Sequence, residues 1–167
     1  MAAAARSQAE EILSKVRPCL AGRPEIAFGY LFGSLARGEA RPASDVDVAV
    51  FLDPPPSPES ESGMYRATLL TELIGALGRN DVDLVILNQA PVVLRHRAIR
   101  DDLVICSRDE RRRVAFVVDT VRRYVDTEPL RRLAREYLRR SIENGTYGRE
   151  VKYKTAIDGL QPSNPAD

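Results

Sequence analysis

The chain has 167 residues, 44% of them hydrophobic and 29% charged, which fits one globular domain with a real core and argues against a second full domain. The net charge is only +1, yet residues 1–90 carry 8 basic and 12 acidic side chains, whereas residues 91–167 carry 17 and 12. The basic half could meet an acidic protein, a nucleotide or nucleic acid, although solvated helix faces would show the same asymmetry.

Two further sequence features bear on the compartment. Cys19 and Cys106 form no metal-ligand cluster, which favours free thiols in a reducing environment. The chain shows no signal-peptide pattern, and no apolar run reaches the length of about 18 residues that a membrane span needs. We therefore expect a cytoplasmic protein with no membrane partner.

The first two predicted elements lead into a turn of small residues. Residues 7–20 carry apolar side chains at helical spacing, and the apolar run of residues 26–32 predicts the first strand. Gly33 and Ser34 follow this strand directly. Backbone N–H groups and a hydroxyl in such a turn can bind an anion such as phosphate. An ordinary tight turn is the alternative interpretation.

A second strand is predicted to begin at Asp45. Because side chains alternate along a strand, Asp45 and Asp47 share one face while Val46 and Val48 share the other. Two neighbouring carboxylates resist joint ionisation unless a cation lies between them. Mg²⁺ suits this pair, since it is held by one or two carboxylates together with substrate phosphates. A solvated strand face is the alternative.

The middle of the chain supplies a further pair of acidic residues. Residues 53–63 are rich in Pro, Ser and Glu, which predicts a mobile surface loop, and residues 64–77 have helical periodicity. Alternation over residues 81–87 then predicts a third strand with Asp81 and Asp83 on one face. A third site carboxylate is therefore available, although an edge strand with two exposed acids would look the same.

The remaining elements are predicted to be mainly helical. A short helix over residues 91–100 and a strand over residues 103–106 precede two basic amphipathic helices, at 111–125 and 129–142. We predict three parts: a core over residues 1–110, a C-terminal helical pair packed on it over residues 111–144, and a loosely ordered tail over residues 145–167.

The spacing of the turn and the acidic pair resembles a known family. Gly33-Ser34, ten intervening residues and then Asp45-x-Asp47 is similar to the signature of the nucleotidyltransferase superfamily of DNA polymerase beta type. The short chain and three residues between the two motifs are most similar to the minimal nucleotidyltransferases (MNT): Arg37, Gly38 and Ser44. The resemblance implies an α/β (α+β) fold with a small mixed sheet of about four strands. Helices pack on one face, the carboxylates lie on the other, open face, and C-terminal helices follow.

The resemblance also implies a site for two Mg²⁺ ions and for ATP as substrate. In this family the strand beside the Asp-x-Asp strand supplies a third acidic residue, and Asp83 matches it better than Asp81, which lies at the strand start. The implied metal-binding and catalytic residues are Asp45, Asp47 and Asp83. The implied nucleotide-binding residues are Gly33, Ser34, Arg37 and Ser44. An exposed ion pair with Glu39 is an equally good role for Arg37.

The implied reaction transfers AMP from ATP to a hydroxyl group. The chain is most similar to the antitoxins of HEPN/MNT toxin–antitoxin systems, which implies a tyrosine of a cognate HEPN-type RNase toxin as the acceptor. Two alternatives remain open: a small-molecule adenylyltransferase of the aminoglycoside type, and an antitoxin that neutralises its toxin by binding only. No nucleic-acid template is expected, because the chain has no room for a template-gripping domain.

Overall fold

The computed structural model describes residues 2–40, 44–55, 61–101 and 103–147, without side chains for residues 2–6, 61 and 62. Most elements fall within one or two residues of their predicted bounds, but the predicted turn at Gly33 forms a short helix. The elements in chain order are α1 (Ala2–Ala21), β1 (Ile26–Phe32), α2 (Gly33–Ala36), β2 (Val46–Leu52), α3 (Glu61–Leu77), β3 (Val82–Ile86), α4 (Val92–Arg100), β4 (Leu103–Ser107), α5 (Glu110–Asp126) and α6 (Glu128–Glu143).

The strands form one mixed sheet in the order β3-β2-β1-β4. β1 is antiparallel to both β2 and β4, whereas β2 and β3 are parallel. The end of β1 and the starts of the other three strands therefore meet at one edge of the sheet. The predicted small mixed sheet is confirmed, and this edge is where the predicted site residues lie.

Both faces of the sheet carry apolar side chains. Alternation along β2 places Val46, Val48, Val50 and Leu52 in one cluster with residues of α1 and α3. The predicted packing of helices on one face is confirmed for this pair. The opposite face is only partly open, because Ala98 and Ile99 of α4 and Phe116 of α5 join a second cluster with Phe28 and Tyr30 of β1.

The chain divides into two compact units, Met1–Asp126 and Thr127–Asp167. The first contains the sheet and α1 to α5, and the second contains α6, which has no buried residue. The predicted packing of residues 111–144 as a pair on the core stays a prediction. None of the helices in the described ranges combines the length and hydrophobicity that crossing a bilayer requires.

Two predicted flexible segments are only partly covered by the structure. Residues 56–60 of the predicted surface loop and residues 148–167 of the predicted tail lie outside the described residues. The end of the predicted loop is helical instead, because α3 begins at Glu61.

Candidate active site

The start of α2 lies against a carboxylate of the neighbouring strand β2. Gly33 has a φ of +80°, which L side chains rarely adopt, and a Cβ at this position would lie 2.0 Å from Oδ2 of Asp47. Any other residue would have to displace the Asp47 carboxylate. Gly33 therefore makes room for Asp47 at the edge of the sheet, directly before the half-buried Ser34.

The three predicted metal ligands lie at neighbouring positions of two strands. Asp45 is exposed and directly precedes β2, whereas Asp47 is half-buried inside it. Asp83 of β3 is exposed and is the register partner of Asp47 in the parallel pair. Register partners in adjacent strands present their side chains on the same face. The predicted alternation is thus found in the structure, although β2 starts one residue after Asp45.

The electrostatic environment of Asp47 is unfavourable for a charged carboxylate. Burial raises the pKa of Asp47, and the nearby charges of Asp83 and Asp45 raise it further, while Arg37 opposes the shift. No hydrogen-bond donor to its carboxylate is found in the described part of the chain. A bound cation would relieve this mutual repulsion.

The donor set suits Mg²⁺, which prefers carboxylate oxygens and takes its remaining ligands from substrate phosphates and water. Within the described ranges, no group of three or more His, Cys, Asp or Glu side chains is already arranged to hold a metal ion. One or two carboxylates can hold Mg²⁺ only when other oxygen ligands, such as phosphates or water, complete its coordination.

A cleft of about 680 Å³ opens beside these residues. Its volume lies in the range of sites for small molecules. It is lined by ten residues: Phe32, Gly33, Ser34, Arg37, Ser44, Asp45, Asp47, Arg97, Arg100 and Asp101. Six of the seven predicted site residues are among them, and Asp83 is the exception.

Asp101, between α4 and β4, is a central residue of the site that sequence reasoning missed. Its side chain is 2% exposed. Oδ2 accepts hydrogen bonds from the backbone N–H of Gly33 at 2.9 Å and from Nη1 of Arg37 at 3.1 Å. Oδ1 accepts from Nε of Arg100 at 2.9 Å. The N–H of Gly33, which was expected to face a phosphate, thus bonds to an internal carboxylate.

Arg37 forms the predicted ion pair with Glu39 and also bonds to Asp101. Its Nε donates to Oε2 of Glu39 at 2.9 Å, so the expected exposed ion pair is present. Its Nη1 bonds to Asp101, and the side chain also lines the cleft. The guanidinium is therefore anchored at the cleft wall, where it can still face a bound anion.

A second arginine braces the segment that leads into β2. Nη2 of Arg79 donates to the carbonyl of Ser44 at 2.6 Å, and its Nε donates to Oδ1 of Asp81 at 2.6 Å. Hydrogen bonding to Arg79 lowers the pKa of Asp81 to about 2. Asp81 therefore holds Arg79, which in turn bonds to the backbone of Ser44 directly before Asp45. Asp83, two residues further on, has no such arginine partner among the described residues.

Gly33, adjacent carboxylates and cleft arginines thus come together at one end of the mixed sheet. Residues 14–111 match the family model for polymerase beta, nucleotidyltransferase. The chain belongs to this nucleotidyltransferase family. A comparison with curated proteins found no match.

Solved structures of toxin–antitoxin complexes contain chains of similar fold. A toxin–antitoxin with AMP-PNP is 26% identical with a TM-score of 0.64, and the match covers 75% of this chain and 97% of that one. A mutant of the MntA–HpeT toxin–antitoxin is 26% identical with a TM-score of 0.62, covering 75% and 95%. A tri-AMPylated HEPN toxin with its MNT antitoxin from Shewanella oneidensis is 23% identical with a TM-score of 0.57, covering 80% and 98%. The last likeness concerns the fold alone.

Proposed function

We propose that this protein is the antitoxin of a HEPN-type toxin and transfers AMP from ATP to a tyrosine of that toxin in a Mg²⁺-dependent reaction. The observation that carries the proposal is the Asp47 carboxylate, which lies against Gly33 and beside Asp83 without a described donor. The similarity to a toxin–antitoxin that was crystallised with AMP-PNP supports both the nucleotide and the kind of partner.

Asp45, Asp47 and Asp83 would hold the metal. When bound, Mg²⁺ neutralises phosphate charge and lowers the pKa of a coordinated hydroxyl. The raised pKa of Asp47 fits this role, because a cation between the carboxylates would restore their ionised form. The exposure of Asp45 and Asp83 leaves them accessible to phosphate-bound metal.

The wall formed by Ser34, Arg37 and Ser44 would hold the nucleotide. Ser34 contributes a hydroxyl at the start of α2, and Arg37 contributes a guanidinium that Glu39 and Asp101 keep in place. Gly33 contributes space, since its missing Cβ leaves room for Asp47, while its N–H serves Asp101. This arrangement would hold the triphosphate in the cleft beside the carboxylates.

The proposed chemical step is a displacement at the α-phosphorus of ATP. The tyrosine oxygen forms a bond to that phosphorus, the bond between the α-phosphorus and the bridging oxygen breaks, and pyrophosphate leaves with the electron pair. The phenolic proton moves to a carboxylate, for which Asp83 is the candidate base. A phenol with a pKa of about 10 is easier to deprotonate than an aliphatic alcohol.

The acceptor must be held by a surface, and the exposed apolar side chains of α5 and those of α6 are two separate candidates. On α5, Val114, Val118, Val121 and Val125 are exposed at intervals of four and three residues, which places them in one stripe. On α6, the exposed apolar side chains are Leu130, Leu133, Tyr137, Leu138 and Ile142. Exposed apolar stripes among arginines are typical of protein-binding surfaces.

The test is intact-mass spectrometry of the toxin after co-expression with this protein. We expect adenylate mass increments with the wild type and none with Asp45→Asn. Glu10→Gln, at an exposed acid of α1 that lies outside the cleft and outside the candidate acceptor surfaces, is the matched control and should leave the increments unchanged.

Other outcomes separate the alternatives. A toxin that stays unmodified but is silenced equally by wild type and Asp45→Asn would favour neutralisation by binding only. Transfer of adenylate to an aminoglycoside, without modification of any protein, would favour the small-molecule enzyme. Either result would overturn the proposed acceptor.

A further inference from the structure

The cleft lining includes two arginines, Arg97 and Arg100, to which the proposed function assigns no role. Arg97 and Arg100 lie three residues apart in the last turn of α4, so they project on the same side of the helix and both line the cleft. Their helix ends beside the strand starts, which brings them to the same space as Asp45 and Asp47. The cleft thus has carboxylates on one wall and guanidinium groups on another.

The arginines of the cleft differ in whether a carboxylate pairs with them. Arg37 pairs with Glu39 and Asp101, and Arg100 pairs with Asp101. Within the residues that the structure describes, Arg97 is the cleft-lining cation for which no ion pair or hydrogen bond is found. A polyanion entering the cleft would therefore meet a guanidinium group at Arg97 that no described residue already pairs with.

The position of these arginines at a helix C-terminus does not explain their orientation. Arginines are favoured there because they can interact with the last carbonyl groups and with the helix dipole. Arg100 bonds instead to Asp101, and neither arginine donates to a helix carbonyl among the described contacts. The N–H of Gly33 is also engaged by Asp101, so phosphates need other donors in this cleft.

We infer that Arg97 and Arg100 form a second phosphate-binding wall, with Arg97 as the direct contact and Arg100 held in place by Asp101. This inference rests on the proposed function, since it assigns additional residues to the same nucleoside triphosphate. Guanidinium groups suit the role because they donate several N–H groups in a planar fork that matches phosphate oxygens. Asp101 acts here as a positioning residue, because it contacts Arg37 and Arg100 and is itself almost fully buried.

The test measures nucleotide affinity by calorimetry on the full chain with Mg²⁺, using ATP, AMP and adenosine as probes. Arg97→Ala should weaken ATP binding about tenfold, because one charge-assisted contact is lost. The affinity for adenosine should stay unchanged, and that for AMP should fall less than that for ATP. Arg97→Lys should be intermediate, since it keeps the charge but loses the fork.

The matched control is Lys15→Ala on α1, which removes the same single positive charge outside the cleft. It should leave all three affinities unchanged. Arg97→Ala should keep the wild-type unfolding midpoint, because no described hydrogen bond or ion pair involves Arg97.

Wild-type ATP affinity in Arg97→Ala would overturn the inference while leaving the proposed function intact. An equal loss for adenosine and ATP would overturn the assignment to phosphate. No ATP binding by the wild type would overturn the proposed function itself.

Discussion

Two carboxylates meet Gly33 from different parts of the molecule, and they differ in how their charge is compensated. Asp47 of β2 lies where a Gly33 side chain would be, whereas Asp101 after α4 accepts the N–H of the same residue. Asp101 is bonded to two arginines as well. Asp47 has no described donor, and burial together with Asp83 and Asp45 raises its pKa.

The difference shows which kind of buried charge indicates function. A buried carboxylate that is fully bonded stabilises the fold and resists change, because removing it strands its partners. A half-buried carboxylate beside two others, with no donor, is destabilising as it stands and makes sense when a cation is bound. Asp101 therefore stabilises the structure of the site, whereas Asp47 is the carboxylate that we propose to bind the metal.

The largest expected effect comes from removing the charge of Asp47. Asp47→Asn should lower the rate of transfer by about 10³-fold, because a metal ligand is worth several kcal/mol in the transition state. Its free energy of unfolding should stay the same or rise, because the repulsion from Asp83 and Asp45 is relieved. Single-turnover assays and urea unfolding on one preparation measure both, with Glu10→Gln on α1 as control. A variant that loses stability and keeps its rate would reverse the roles assigned to the two carboxylates.

The second effect tests the contact between the turn and Asp47. Gly33→Ala should cost about 1–2 kcal/mol of stability for its positive φ, and about 10²-fold in rate because the Asp47 carboxylate must move. Gly78→Ala is the matched control, since Gly78 has a φ of +66° but nothing within 4 Å of the added Cβ. It should show a similar loss of stability with an unchanged rate. Equal rates for the two variants would contradict the role of the Gly33–Asp47 contact.

The part of the site that lies within strands could be predicted from the sequence. The period of two along a strand places Asp45 and Asp47 on one face, and the parallel register with β3 then brings Asp83 next to Asp47. These relations are local or follow from the pairing of two strands. The spacing between Gly33 and Asp45 added a resemblance to a family that the match over residues 14–111 confirms.

The roles of Asp101, Arg97 and Arg100 could not be predicted from the sequence, because their places in the site depend on tertiary contacts. Asp101 lies 68 residues from Gly33 and 64 from Arg37, at a helix–strand boundary where no periodicity operates. Arg97 and Arg100 look like ordinary basic residues at a helix C-terminus until the helix is placed beside β1 and β2. The packing of α4 on the sheet, and not a local sequence motif, places Arg97 and Arg100 in the cleft.

A smaller effect is expected when the charge of Asp101 is removed. Asp101→Asn should lower the free energy of unfolding by about 2 kcal/mol, below the cost of breaking a fully buried pair, because Arg37 and Arg100 are themselves partly exposed. ATP binding should weaken only a few-fold, since the amide keeps one acceptor for Gly33 or an arginine. Urea unfolding and calorimetry measure the two quantities. Unchanged stability together with a 10³-fold loss of rate would give Asp101 a role in the chemistry instead of in stabilising the site.

The smallest effect is expected at Asp81, which directly precedes β3, and is compared with Asp83 inside that strand. Asp81 is ion-paired with Arg79, and its pKa is lowered from 3.8 to about 2. A lowered pKa in the folded state contributes stability that is fully present above about pH 4 and disappears as the pH falls through about 2. The difference in unfolding free energy between wild type and Asp81→Asn should therefore be constant from pH 7 to about pH 4 and should close by about pH 2. Asp83→Asn, which breaks no described ion pair, should show no such closing difference but should lose transfer activity. If Asp81→Asn loses more activity than Asp83→Asn, the third carboxylate of the site is Asp81, and the Arg79 pair must open for function.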